Sequence, residues 1–265
     1  MWVLKPSLDV KSKGSFAYSS NFVWKDETLP IYIMDNHLSA SWCWMQECDN
    51  SSNYNFLHID RHHDLAAIGD ISVLDNIRGI KIEYEEYIGL SYSYDDSCNS
   101  SFQSFRWDNY IRNAHYLYPN WFHTNLLYVQ QGMVEDPYYI RFPVFKSQRR
   151  DTLLVRQELT QFIEDPSSCL GDGFLDPHTW QEKWILNIDL DFIWDEDHVR
   201  IFDDEFIIDL AKRIKNAMSN IQVVTIALSP ECVAGDEIED KWDNSLRVLK
   251  LFTDALELDF SLDNL

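Results

Sequence analysis

An α/β fold with a mostly parallel central sheet is what this chain of 265 residues predicts. Apolar runs, often β-branched or aromatic, recur at 31–34, 56–59, 125–129, 140–145, 152–155, 184–188 and 223–228, as expected of buried strands. The segments between them are long enough to hold helices, and such alternation reads as α/β. The clearest helix, Asp204 to Ser219, lies between the runs at 184–188 and 223–228, which makes a strand–helix–strand crossover and parallel pairing the natural inference.

That helix is defined by its stripe. Phe206, Ile207, Leu210, Ile214 and Met218 fall on one face, and Lys212, Arg213 and Lys215 sit toward its C-terminal end, where cations complement the helix dipole. The segment from Ser91 to Ser104, rich in Ser, Tyr and Asp, reads as a long irregular loop. No internal repeat, Pro/Gly/Ser-rich linker or low-complexity tract interrupts the chain, so one domain over 1–265 is expected.

Bulk composition narrows the function. With 45% apolar and 14% aromatic residues, the chain can bury one large core. No stretch approaches the roughly 20 continuous apolar residues of a membrane span, and Met1-Trp2-Val3-Leu4-Lys5-Pro6 lacks a secretory apolar region. A cytoplasmic protein with no membrane partner is expected. Five cysteines (Cys43, Cys48, Cys98, Cys169, Cys232) form no Cys-x-x-Cys pair, which fits reduced thiols, and by the same logic the Asn-Ser-Ser triplets at Asn50 and Asn99 stay unglycosylated. The net charge of −22 repels nucleic acid and favours a basic substrate, although an acidic surplus also serves to keep a soluble protein dispersed.

Three short segments carry the chemistry. Asp35-Asn36-His37, Asp60-Arg61-His62-His63-Asp64 and Asp189-Leu190-Asp191 each follow an apolar run. Ligands collect beyond the carboxyl ends of parallel strands. In an extended chain, residues i and i+2 project to the same side, so Asp60, His62 and Asp64 can converge, as can Asp189 and Asp191. Buried carboxylates need compensating charge, and a carboxylate can bridge two cations where an imidazole binds one. Four Asp and two His therefore suit a bridged pair of divalent ions, and oxygen-rich ligation with some imidazole and no thiolate points to manganese before zinc. Taken singly the segments are weak: Asp-x-Asp is common in turns, and a lone His37 is more often a loop histidine. Their conjunction in order is the signal.

In that order the motifs resemble those of the ureohydrolases, meaning arginase, agmatinase and their relatives, which have a histidine after the first motif strand, then Asp-x-His-x-Asp, then Asp-x-Asp. The resemblance covers about residues 30 to 232 and implies the three-layer α-β-α arrangement of the arginase/deacetylase fold. It also implies two Mn2+ per chain, one held by His37, Asp60, Asp64 and Asp189 and the other by His62, Asp60, Asp189 and Asp191, with Asp60 and Asp189 bridging. The departures are specific. Met34-Asp35-Asn36-His37 stands where arginases read Gly-Gly-Asp-His, Asp64 runs into Leu65-Ala66-Ala67-Ile68, and Asp189-Leu190-Asp191 continues as Phe192-Ile193-Trp194. The grip on a free amino acid looks absent, and the chain looks like the divergent branch that includes peptide arginases, which turn arginine into ornithine within ribosomally made precursor peptides.

The implied reaction is hydrolysis of a guanidinium to an amine plus urea, with Asp64 orienting the nucleophile. The departing amine needs a proton, for which His115 and His123 are candidates, with His63 a rival; all three serve equally well as packed histidines. Glu231, in Ser229-Pro230-Glu231, is the candidate partner for the guanidinium, or a helix-start acid beside Pro230. Acidic stretches at Asp195-Glu196-Asp197, Asp203-Asp204-Glu205 and Asp236-Glu237-Ile238-Glu239-Asp240 could rim a pocket for a basic peptide or simply be solvated faces. Two alternatives remain open: a single-zinc deacylase of the same fold acting on acyl-lysine or a polyamine, and a non-catalytic metal-stabilised module that binds a basic partner.

Overall fold

The computed structural model describes residues 1–6, 19–93, 100–128, 150–154, 182–195 and 197–262. In chain order the elements are β1 (Trp2–Leu4), β2 (Val23–Lys25), β3 (Ile31–Met34), α1 (Ala40–Glu47), β4 (Asn55–Ile59), α2 (Ile71–Ile77), α3 (Tyr84–Gly89), β5 (Ser91–Tyr92), β6 (Phe102–Gln103), α4 (Tyr110–Leu117), β7 (Thr124–Tyr128), β8 (Arg150–Leu154), β9 (Trp184–Asp189), α5 (Asp204–Asn216), β10 (Ile221–Ala227) and α6 (Ile238–Leu256).

Strand parity sets the layers. Ile31 and Ile33 of β3, Leu57 and Ile59 of β4, Leu186 and Ile188 of β9, and Val224 and Ile226 of β10 face one apolar cluster with Ile207, Leu210 and Ile214 of α5 and Val248, Leu249 and Phe252 of α6. The alternate residues Tyr32, Met34, Phe56, Ile185, Val223 and Ala227 face a second cluster with α1 to α4, including Trp44, Leu74, Tyr87 and Ile111. Successive side chains of a strand point to opposite faces, so strands that are apolar at both parities must be covered on both sides, and helices do the covering. The result is three layers, α-β-α.

The sheet runs β1-β2-β3-β10-β9-β4-β7-β8. From β3 onward every pairing is parallel, and β1 and β2 join antiparallel at one edge. The expected parallel sheet is therefore correct. The antiparallel edge strands have three residues each, too short for a periodicity to register in sequence. The expected strand at 140–145 lies outside the described residues.

Two boundaries differ from expectation. The helix predicted to reach Ser219 closes at Asn216, because the Ala217 amide donates to both Arg213 and Ile214 and a 3-10 turn over Met218–Asn220 feeds directly into β10. The predicted loop over 91–104 is pinned at its ends, where β5 and β6 pair antiparallel. No helix among the described residues is long and apolar enough to cross a membrane.

The α5 stripe gives the fold its simplest test. Leu210 is 2% exposed, so Leu210→Ala should cost about 2–5 kcal/mol in urea unfolding. At the exposed neighbour Asp209, substitution by Ala should stay within about 0.5 kcal/mol.

Candidate metal centre

Register brings the predicted segments together. Met34 pairs with Ala227 and Ala227 with Asp189, while Ile59 pairs with Ile188, so Asp60 leaves β4 level with the last residue of β9. Four neighbouring parallel strands thus end in one row. Each end turns sharply. Asn36 Oδ1 accepts from the Leu38 amide at 2.9 Å and starts the 3-10 turn His37–Ser39, and Asp189 Oδ1 accepts from the Asp191 amide at 3.1 Å, which folds Asp191 back over its own strand. Asp64 (φ 52°) and Ser229 (φ 42°) adopt left-handed backbone, a conformation that L side chains seldom take and that collects at functional sites.

The six candidate ligands converge. His37 Nδ1 contacts Asp189 Oδ2 directly and lies 3.5 Å from Asp64 Oδ2 and 3.8 Å from Asp60 Oδ2. His62 Nδ1 lies 2.9 Å from Asp191 Oδ2 and 3.5 Å from Asp60 Oδ1. Donor atoms of His37, Asp60 and Asp64 fall within 4.8 Å of one another, as do those of Asp60, Asp189 and Asp191. Asp60, Asp189 and Asp191 are wholly buried and Asp64 is 2% exposed. Even so, Oδ2 of Asp60, Asp64 and Asp191 makes no well-aligned hydrogen bond. Buried carboxylate oxygens without donors are costly, and a divalent cation is the partner their chemistry fits.

Electrostatics points the same way. Burial disfavours charge on His37, but the carboxylates of Asp64 and Asp189 outweigh it and push the imidazole up to about 10. For His62, burial is likewise outweighed by Asp191 and Asp60, to about 11. Burial raises Asp191 to about 7, with repulsion from Asp189 and Asp60 adding to it, and pushes Asp64 well above the usual carboxylate range. Without metal the cluster keeps protons to limit its own charge.

A second polar row lies one step back along the strands. His58, Asn187 and Thr225 are cross-strand neighbours on β4, β9 and β10. The Asn187 amide nitrogen donates to His58 Nδ1 (2.8 Å) and to the Tyr110 hydroxyl (2.9 Å), and its oxygen accepts from Thr225 Oγ1 (2.8 Å). Trp44 Nε1 closes the row on Thr225 at 3.2 Å. With Nδ1 accepting, His58 carries its proton on Nε2, 3.2 Å from the His62 carbonyl and 3.4 Å from Asp60 Oδ2. Burial holds this ring neutral, down to about 4. Tyr110 also stacks on His37, with ring centroids 5.1 Å apart and planes 23° apart, and Ser229 Oγ donates to Asp189 Oδ2 at 2.6 Å.

The other candidates divide. Glu231 lines a small pocket together with Asn36, His37, His62, Trp107, Ser229 and Cys232, and its carboxyl is raised by burial and by Asp35. His115 and His123 do not join the cluster. His123 precedes β7, at the end of the sheet opposite the cluster, with Nδ1 3.5 Å from Glu182 Oε1, and a five-residue strand spans roughly 16 Å. His115 packs edge-on against Phe122 beside it, at 5.3 Å. Both stand toward the amino ends of the strands, away from the candidate ligands. His63 Nδ1 accepts from the Leu65 amide at 3.1 Å. Asp35 belongs to the fold, accepting from the amides of Asn21 and Phe22 at 2.9–3.1 Å.

No protein-family profile matches the chain, and no curated protein matches it. Among solved structures it is similar to Entamoeba histolytica arginase in complex with L-ornithine, at 12% identity and a TM-score of 0.44 over 84% of this chain and 69% of that one. At that level the match carries no weight on the reaction, and the topology above stands on its own strand pairing.

Several site residues went unread in sequence: His58, Tyr110, Asn187, Thr225, Ser229 and Cys232. Two had a readable cue: Ser229 and Cys232 trail the apolar run 223–228, as the predicted ligands trail theirs.

Two outcomes follow from this geometry. Because His37 and His62 stay protonated below about pH 10 without metal, uptake of a divalent ion must release protons and affinity must rise with pH; calorimetry in buffers of different ionisation enthalpy measures the release. Thr225→Val, which leaves Asn187 Oδ1 unpaired, should cost about 1–3 kcal/mol and weaken metal affinity about 10–100-fold, read by thermal melting and metal titration.

Proposed function

We propose that the protein is a binuclear metal-dependent amidinohydrolase that converts peptide-bound arginine to ornithine and urea. The observation that carries the reading is the meeting of four buried carboxylates and two imidazoles at a pocket that also presents Glu231. The order of the motifs, which resembles that of the ureohydrolases, supports it.

His37, Asp60, Asp64 and Asp189 would hold one ion, and His62, Asp60, Asp189 and Asp191 the other, with manganese the first expectation for so many oxygen donors. Ions bound there would offset the carboxylate charge and make a water nucleophilic at neutral pH. Asp64, with Oδ2 free of hydrogen bonds, accepts a proton-bearing edge of that water and orients it toward the guanidinium carbon. Glu231 pairs with the guanidinium and fixes its plane. The bond from that carbon to the side-chain nitrogen breaks, the nitrogen takes a proton and leaves as the ornithine amine, and the remainder departs as urea. With His115 and His123 remote, Glu231 is the acid–base group of the pocket lining that stands outside the ligand clusters, so the proton passes through it.

Pocket chemistry favours a side chain over a free amino acid. The pocket is small and half open to solvent, and His37, His62, Ser229, Glu231 and Cys232 are among its lining residues. Among the described residues the lining holds Glu231 and neither Lys nor Arg. A precursor peptide would leave its backbone outside, where the net charge of −22 attracts basic sequences.

An arginine-containing peptide incubated with protein and Mn2+ should lose about 42 Da per modified residue by mass spectrometry, as expected when water displaces urea. A peptide left unchanged by metal-saturated protein would end the proposal, and deacylation of an acyl-lysine peptide by protein holding a single zinc would replace it. Glu231→Gln should lower kcat/KM about 10²–10⁴-fold, the worth of a general acid–base group, with metal content unchanged.

A further inference from the structure

We infer that Cys232 is a sulfur ligand of the second metal position, completing a His62–Asp191–Cys232 donor set that prefers a thiophilic ion over manganese. This rests on the reading of the cluster as a metal centre, and it goes beyond that reading in making the two positions chemically unequal.

The geometry points to it in three ways. The Cys232 sulfur, a His62 ring nitrogen and an Asp191 carboxylate oxygen lie within 4.8 Å of one another. Two ligands across a single ion stand at most about 4.4 Å apart, from bond lengths near 2.3 Å for sulfur and 2.1 Å for nitrogen, so small side-chain movements close the set. Asp191 is wholly buried, and its Oδ2 makes no well-aligned hydrogen bond, its nearest cationic neighbours being His62 Nδ1 at 2.9 Å and Arg61 Nε at 3.8 Å. Its other oxygen accepts from the Arg61 amide at 3.1 Å, so Oδ2 is the oxygen on the His62 side.

Local backbone holds the sulfur in place. Ser229 turns the chain with left-handed φ and ψ of 42° and 55°, and the Cys232 amide donates to the Ser229 carbonyl at 3.0 Å. The same turn carries the Ser229 hydroxyl onto Asp189, so the sulfur is tied to the strand end that holds the other ligands. Cys43 and Cys48, by contrast, are buried in the apolar cluster beneath α1.

A thiol that binds a divalent ion gives up its proton to solvent and coordinates as thiolate. Thiolate is a softer donor than carboxylate and shifts preference toward zinc, cobalt or iron(II). The His37–Asp60–Asp64 position has only oxygen and nitrogen donors and keeps its preference for a hard ion. One face of the centre then holds manganese and the other a thiophilic ion.

Cobalt(II) tests this without reference to turnover. Wild-type protein loaded with Co2+ should bind two ions per chain by elemental analysis and show a sulfur-to-cobalt charge-transfer band in the near ultraviolet. Cys232→Ser should lose the band, keep its melting transition, and show a ratio of zinc to manganese affinity reduced roughly tenfold or more. X-ray absorption at the cobalt edge of the wild type, which needs no variant, should find a sulfur at about 2.3 Å. Two bound ions with no sulfur scatterer and no band would overturn the cysteine ligand while leaving the metal centre standing. A band that persists in Cys232→Ser would overturn it as well, and failure to bind any ion would sink both readings.

Discussion

Buried negative charge is the constraint from which the rest of the structure follows. Four carboxylates, of Asp60, Asp64, Asp189 and Asp191, are packed where at most 2% of any of them meets solvent. Removing each from water costs several kcal/mol even after relaxation; among the described residues no lysine lines the cavity above them, and of the four the Arg61 guanidinium reaches only Asp191, at 3.8 Å. In the absence of metal the cluster holds protons on His37 and His62 and shifts Asp64 and Asp191 toward the neutral acid. Such an arrangement makes little sense as a fold-stabilising device, because apolar residues of similar volume would pack there at lower cost. It makes good sense as a cation receptacle.

Placement follows from the sheet. Parallel strands deliver all their carboxyl ends to one edge, and the register that pairs Met34, Ala227 and Asp189 puts three chain reversals side by side. The row formed by His58, Asn187 and Thr225, one step deeper, then acts as a polar floor. Each member donates to or accepts from the next, with Trp44 and Tyr110 closing it from the helical layer. A fully satisfied network of this kind fixes ligand orientation more firmly than packing alone, since any rotation leaves a buried polar atom unpaired.

Much of this was legible in the sequence. The strands were readable because both their faces are covered, which leaves runs such as Ile31–Met34 and Trp184–Ile188 apolar throughout. The candidate ligands were readable because three such segments follow apolar runs in one order, although each alone is common. By contrast, β1 and β2 went unread at three residues each. His115 and His123 were candidate proton donors despite an aromatic segment that suited packed histidines, and Phe122 and Glu182 hold them at the far end of the sheet. Cys232 was read as one of several reduced thiols, since composition counts cysteines and does not place them.

By itself the sequence determined the layers and the donor inventory, because alternation, caps and ligand spacing are local properties that a chain carries wherever it goes. Only the tertiary structure decided which donors share an ion, which histidines are excluded, and that a sulfur and a row of His58, Asn187 and Thr225 stand beside them. Those are matters of register between strands separated by more than a hundred residues in the chain, and hydrogen bonding across the sheet, which no local pattern encodes, sets that register.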